Sequence, residues 1–90
     1  MTSSEARFAV LVRLGWELRC LAIGSAVTLP ADGEAVLLVR CPDGFRLPVL
    51  AAQQDRRWLI IWSTHGEVPA VRPDLAAREI AGTVAQRRAV

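Results

Sequence analysis

The chain has 90 residues, of which 52% are hydrophobic and 22% are charged, and its formal net charge at pH 7 is +2. This length allows one modest core, and this composition excludes an intrinsically disordered or strongly basic protein. We therefore expect a single globular domain over residues 1–90. The apolar fraction is high for so small a core, which indicates that some apolar surface remains for a partner.

The most apolar tract, residues 8–27, does not qualify as a membrane span. Arg13, Glu17 and Arg19 interrupt it, whereas a span needs about 20 residues almost free of charge. The amino terminus shows no basic segment followed by an apolar run, so we expect no secretory signal and a cytoplasmic location. In that compartment the two cysteines stay reduced.

A first helix is predicted over about 3–14. Thr2 and Glu5 have the spacing of a capping box, and apolar residues then recur at helical intervals. Gly15 is a natural stop for this helix. From Gly15 onward, apolar and polar residues alternate in the segment WELRCL, and this period of two predicts a first strand over about 16–22.

Three further strands are expected downstream, over about 35–41, 45–52 and 57–63. The segments PADG, PDG and QQDR lie before or between them and carry typical turn residues. Pro48 cannot donate a hydrogen bond to a sheet ladder. The strand that contains it is therefore expected at an edge of the sheet or with a bulge.

A second helix is predicted over about 73–86. Pro73 suits the first helical position and Asp74 complements the helix amino terminus. The order of elements is α-β-β-β-β-α, and short connections between strands make neighbours antiparallel. The predicted class is a two-layer α+β fold, in which an antiparallel four-stranded meander is packed by the two helices.

The segment RRWLIIW is apolar on both faces of its predicted strand. Trp58, Ile60 and Trp62 point to one side, and Leu59 and Ile61 point to the other. A sheet with helices on one face should be polar on its other face. Here that second face instead collects five apolar residues, Val36, Leu38, Leu50, Leu59 and Ile61.

A contiguous apolar patch rarely stays exposed on a monomer. We therefore expect this face to bind a partner, either a second copy of the chain or another protein. The alternative is that the loop over 63–73 or the last helix covers the face.

The sequence offers little catalytic or metal-binding chemistry. Cys20, Cys41 and His65 lack the paired spacing and the fourth ligand of a structural zinc site, so we expect no metal and no cofactor. Both cysteines are expected to be buried in apolar strands and unreactive. His65 and Glu67 at a turn are the remaining candidates for acid–base chemistry, and a small enzyme working there is the third functional alternative.

All 11 cationic side chains other than histidine are arginine, and they are scattered except for the pairs Arg56-Arg57 and Arg87-Arg88. A nucleic-acid-binding regulator that uses these pairs on phosphates is the second functional alternative. Helix, strands and helix also occur in this order in double-stranded RNA-binding domains. Those domains use cations at the start of the second helix, where this chain has Asp74. We therefore expect a protein partner rather than nucleic acid.

The whole pattern resembles a group of short, uncharacterised actinobacterial α+β proteins. The matching residues are Gly15-Trp16, Trp58, Trp62, Gly66-Glu67 and the segment DLAAREIAGTVA. The architecture is also similar to small α+β dimers with secretion-chaperone-like folds. The resemblance implies protein binding and supplies no catalytic residues. The sequence thus predicts a non-enzymatic protein-interaction or regulatory module that acts as a homodimer through its apolar sheet face.

Overall fold

The computed structural model describes residues 2–31, 33–63 and 66–87. Its elements in chain order are α1 (Ser3–Cys20), β1 (Ser25–Thr28), β2 (Val36–Arg40), β3 (Arg46–Gln54), β4 (Arg57–Ile61), β5 (Glu67–Pro69) and α2 (Pro73–Gln86). The strands form one antiparallel sheet in the order β1-β2-β3-β4-β5. The predicted α+β class is therefore confirmed, but the sheet has five strands rather than four.

Both helices pack on the same side of the sheet and against each other. Alternate residues of a strand point to opposite sides, so one set from each of the four strands β2 to β5 meets the helices. The fully or almost fully buried members of that set are Leu37, Val39, Leu47, Val49, Ala51, Ile60 and Val68. They form a single core with the inward-facing residues of the helices, Leu11, Leu14, Leu18, Ala76, Ala77, Ile80 and Val84.

The first helix is longer than the sequence indicates. It begins as predicted, because the Thr2 hydroxyl accepts a hydrogen bond of 3.1 Å from the Glu5 N–H. It then continues to Cys20, so the predicted stop at Gly15 and the predicted strand over 16–22 are wrong.

Gly15 serves close packing instead of ending the helix. A Cβ at this position would lie 3.3 Å from the Ser25 hydroxyl and 3.7 Å from a Leu37 methyl group. The missing side chain therefore lets α1 approach β1 and β2. The alternation in WELRCL is misleading. Leu18 faces the core together with Leu14, which lies four residues earlier, and this is the spacing of a helix.

The end of α1 is a Schellman turn. The Ala22 N–H donates to the Arg19 carbonyl at 2.9 Å, and the Ile23 N–H donates to the Leu18 carbonyl at 3.0 Å. Ala22 has a φ of +61°, and the Ile23 side chain packs against the core. Glycine usually occupies this position. The sequence therefore lacks the usual signal for the end of this helix.

Two strands were missing from the prediction. β1 pairs with β2 from Ser25 opposite Val39 to Thr28 opposite Val36. β5 pairs with β4 and lies at the other edge of the sheet. The remaining predicted strands, over about 35–41, 45–52 and 57–63, are found with bounds within two residues, and the helix over about 73–86 is found as predicted.

Pro48 lies in the middle strand, and residues 46–49 pair one to one with β2, so the prediction of an edge strand or a bulge at this position is wrong. It nevertheless has a strand partner on one side only. Residues 46–49 of β3 pair with β2, where Pro48 faces Leu38, and the ladder with β4 begins at Leu50. The missing N–H is thus tolerated because β4 makes no ladder bond at this position.

Arg7 attaches the first half of α1 to the sheet. Its Nε donates a hydrogen bond of 3.1 Å to the Ala51 carbonyl, and its guanidinium lies 3.2 Å from the Glu34 carboxylate. It also lies over the Trp58 ring, 5.4 Å from the centroid. The side chain is only 15% exposed, because these contacts hold it against the sheet.

We expect Ala22→Gly to raise the free energy of unfolding by about 1 kcal/mol, because glycine takes a positive φ without the steric cost of a Cβ. Ala9→Gly, on the exposed side of α1, is the matched control. It should lower the same free energy by about 1 kcal/mol, because glycine is unfavourable inside a helix. Urea unfolding measures both changes. If both substitutions destabilise equally, the Schellman turn is not present.

We expect Arg7→Ala to lower the free energy of unfolding by about 2 kcal/mol, because the Ala51 carbonyl loses a charged donor at a partly buried position. Arg13→Ala, on the same helix, removes an exposed pair with Glu17. That change should cost less than about 0.5 kcal/mol. Urea unfolding again compares the two, and equal effects would show that Arg7 does not anchor the helix.

Candidate functional site

The candidate site is the side of the sheet that faces away from the helices, which we call the outer face. It is defined by the strand residues that alternate with the core residues. Its members are Ala26, Thr28, Val36, Leu38, Arg40, Arg46, Pro48, Leu50, Ala52, Gln54, Arg57, Leu59, Ile61, Glu67 and Pro69. Most of these are apolar, and all are partly or fully exposed.

The structure places all five residues of the predicted patch on the outer face. Leu50 is opposite Ile61, and Leu59 is opposite Ala52 in the next pair of the same face. Val36 and Leu38 are alternate residues of β2, on the other side of β3. Leu50 is 44% exposed at the centre of this group. The five residues therefore form one continuous apolar area across three strands.

The described parts of the chain do not cover this face. The helix α2 packs on the core side, beside α1 and β5. Within the loop that follows β4, residues 67–69 form β5 and so extend the sheet. Ala70 packs against the core, and Val71 is 84% exposed. Neither the last helix nor the described part of this loop therefore covers the outer face.

Sequence analysis missed the outer-face residues of β1 and β5, because it did not recognise these strands. Ala26 and Thr28 alternate with Ser25 and Val27, but four residues give too short a pattern to establish a period of two. Pro69 is exposed at the end of a strand of three residues. These residues widen the apolar area beyond the three strands that the sequence indicates.

Charged side chains lie at the ends of the outer face. Arg40 and Arg46 are directly opposite each other at one end. Arg57 begins β4 at the other end, and Glu67 is opposite Ile61 on β5. An apolar centre with a polar rim is the usual anatomy of a protein interface.

The two arginine pairs do not form one basic surface. Arg56 and Arg57 lie at the turn between β3 and β4. Arg87 follows α2 and makes an ion pair of 3.1 Å with Asp43 in the turn between β2 and β3. These turns are at opposite ends of β3, which has nine residues and is roughly 30 Å long. Arg88 lies outside the described residues, and the rest of the arrangement gives no support to a joint phosphate site.

The two thiols differ in their exposure to solvent. Cys20 is exposed at the end of α1, so its predicted burial in a strand is wrong, whereas Cys41 follows β2 and is buried. His65 lies outside the described residues, and Glu67 is exposed on β5. Across residues 2–31, 33–63 and 66–87, no group of three or more His, Cys, Asp or Glu side chains could hold a metal ion.

The start of α2 contains an ion pair with a structural explanation. Arg72 donates two hydrogen bonds of 3.2 Å to the Asp74 carboxylate. These hydrogen bonds lower the pKa of Asp74 and raise the pKa of Arg72. Both groups are exposed, and a carboxylate here complements the amino terminus of the helix. The pair is therefore part of the helix start rather than a candidate for acid–base catalysis.

Comparison of the chain with protein-family models, with curated proteins and with solved structures finds no match. Neither described helix has the length and apolar character needed to cross a membrane.

We expect Leu50→Glu to leave the fold intact, because the side chain at this position already meets solvent. The free energy of unfolding should change by less than about 1 kcal/mol. The neighbouring Val49→Glu is the matched control, and it should unfold the domain, because it places an unpaired charge in the core. Circular dichroism during urea unfolding measures both. Similar effects of the two substitutions would contradict the assignment of the two faces.

Proposed function

We propose that the protein is a non-enzymatic interaction module that forms a homodimer through the outer face. The observation that carries this proposal is the continuous apolar area across β2, β3 and β4, over which no described segment lies. Burial of such an area is favourable in proportion to the apolar surface removed from water. In a monomer this apolar surface would stay in water, and the free energy of its burial would not be gained.

A second copy is the occupant that the rim favours. Arginine and glutamate both occur around the apolar centre, as Arg40, Arg46 and Arg57 on one hand and Glu67 on the other. A two-fold interface uses the same patch on both subunits. Glu67 of each subunit can therefore meet one arginine of the other, and the other two arginines of each rim are left to solvent.

The size of the outer face predicts a weak dimer. Five strands about 4.8 Å apart and about five residues deep give an area on the order of 400 Å² per copy. Two such faces bury about 800 Å² in total, which is below the roughly 1,200 Å² at which stable specific interfaces begin and corresponds to a weak, transient contact. We therefore infer a dissociation constant on the order of 10 µM rather than in the nanomolar range.

The other two functions have less support. The nucleic-acid alternative needs the arginine pairs to act together, and the described pairs are at opposite ends of β3. The enzyme alternative needs His65, which lies outside the described residues. Among the described residues, no ion pair or hydrogen bond joins Glu67 to a histidine or a cysteine.

Sedimentation equilibrium between about 1 and 300 µM tests the proposal. We expect the weight-average mass to rise with concentration from one to two chains. Leu50→Glu should remain monomeric over the whole range, because it places two carboxylates in the apolar centre of the interface.

Val71→Glu is the matched control, because it also adds a carboxylate at an exposed aliphatic position but lies in the loop before α2. It should dimerise like the unmodified chain. The proposal fails if the unmodified chain is monomeric at the highest concentration. It also fails if Leu50→Glu associates as strongly as Val71→Glu.

A further inference from the structure

The free edge of β1 has the features of a peptide-binding strand. Among the described strands, β1 has a neighbour on one side only. The Arg40 N–H donates to the Gly24 carbonyl at 2.9 Å, which makes these two residues a hydrogen-bonded pair. Such pairs alternate along an antiparallel ladder. Ala26 therefore also directs its backbone to β2, whereas Ser25 and Val27 direct their N–H and C=O groups to the open edge.

An apolar groove lies on the helix side of this edge. It has a volume of about 450 Å³ and runs between α1 and β1. Val12 and Trp16 line it from the helix, and Ile23 and Val27 line it from the chain that leads into and forms β1. Trp16 is 59% exposed, although tryptophan is an apolar residue that usually finds a partner surface. The groove would accept apolar side chains from an added strand.

A basic hollow lies on the other side of the same edge. It has a volume of about 280 Å³ and shares Gly24, Ser25 and Ala26 with the groove. Its lining includes Arg40 and Arg46, which are directly opposite each other on β2 and β3. Like charges in this arrangement repel.

Neither of these arginines forms an ion pair with another described residue. Arg19, at the rim of the groove, lies over the Trp16 ring and has no described ion pair either. The described residues that line the groove and the hollow include no aspartate or glutamate. A ligand that supplies carboxylates would therefore remove the repulsion and gain charge-assisted hydrogen bonds.

We propose that the open edge of β1 binds an extended peptide as an added strand, and that apolar and acidic side chains alternate along this peptide. The side chains of an added strand point alternately to the two sides of the sheet. Apolar residues would enter the groove beside Trp16, and the acidic residues between them would meet Arg40 and Arg46. The Ser25 and Val27 backbone groups would supply the ladder hydrogen bonds.

A second copy of β1 is a poorer occupant of this edge. Its sequence, SAVT, contains no acidic residue, and two-fold pairing would bring two sets of Arg40 and Arg46 to one sheet without a counter-charge. Arg40 and Arg46 also lie at the rim of the outer face, so the edge proposal has to be tested on a chain that does not dimerise.

Fluorescence anisotropy with a labelled peptide in which leucine alternates with aspartate tests the proposal. The unmodified chain should bind this peptide at least ~10-fold more tightly than a peptide of the same composition with all leucines before all aspartates. Leu50→Glu should bind the alternating peptide at least as tightly as the unmodified chain does, because no dimer competes for Arg40 and Arg46, so the preference between the two peptides does not depend on the dimer. Equal binding of the two peptides, or of neither, would overturn the proposal.

Ser25→Pro removes one N–H from the open edge, at the first residue of an edge strand, where proline is tolerated. It should weaken binding of the alternating peptide at least ~10-fold, whereas Ser25→Ala keeps the N–H and should stay within about twofold. Arg40→Glu with Arg46→Glu should weaken it similarly and create a preference for a peptide that alternates leucine and lysine. Circular dichroism confirms that each variant is folded. If Ser25→Pro and Ser25→Ala bind equally well, strand addition at β1 is excluded.

Discussion

The packing of α1 along one side of the sheet is the constraint on which the rest of the structure depends. Leu11, Leu14 and Leu18 are fully buried in this contact, and Gly15 allows the helix to approach β1. The helix has 18 residues and is roughly 27 Å long, about the length of the longest strand. Because α2 lies beside α1 in the same layer, both described helices cover the same side of the sheet. The outer face therefore receives no cover from them.

Both candidate surfaces follow from this one-sided arrangement. The outer face is apolar because β2, β3 and β4 carry aliphatic residues on both sides, while helices pack on only one. The edge surface exists because α1 lies close to β1 but leaves Trp16 exposed beside it. The outer face is flat and sized for a weak contact with a second copy. The edge offers backbone hydrogen bonds and two chemically different pockets, which suit an extended peptide.

The sequence predicts the parts of the fold in which local pattern and tertiary packing agree. The period of two in a strand predicts which residues of β3 and β4 share a face, and Pro73 marks the start of α2. The end of α1 could not be predicted, because Ala22 adopts a positive φ that local propensity assigns to glycine. The role of Arg7 was also hidden, since its partners Ala51 and Glu34 are distant in the chain. The basic hollow depends on the register between β2 and β3, which no local pattern specifies.

The claim that the outer face is the self-association surface is tested most directly by methyl NMR spectroscopy at increasing protein concentration. The account predicts concentration-dependent shifts of the methyl resonances of Leu50, Leu59 and Ile61, because these groups leave water when two copies meet. The methyl resonances of Leu11 and Leu14 should stay constant, because they are buried in the monomer. Unchanged resonances on the outer face up to millimolar concentration, or shifts confined to the helices, would contradict the account.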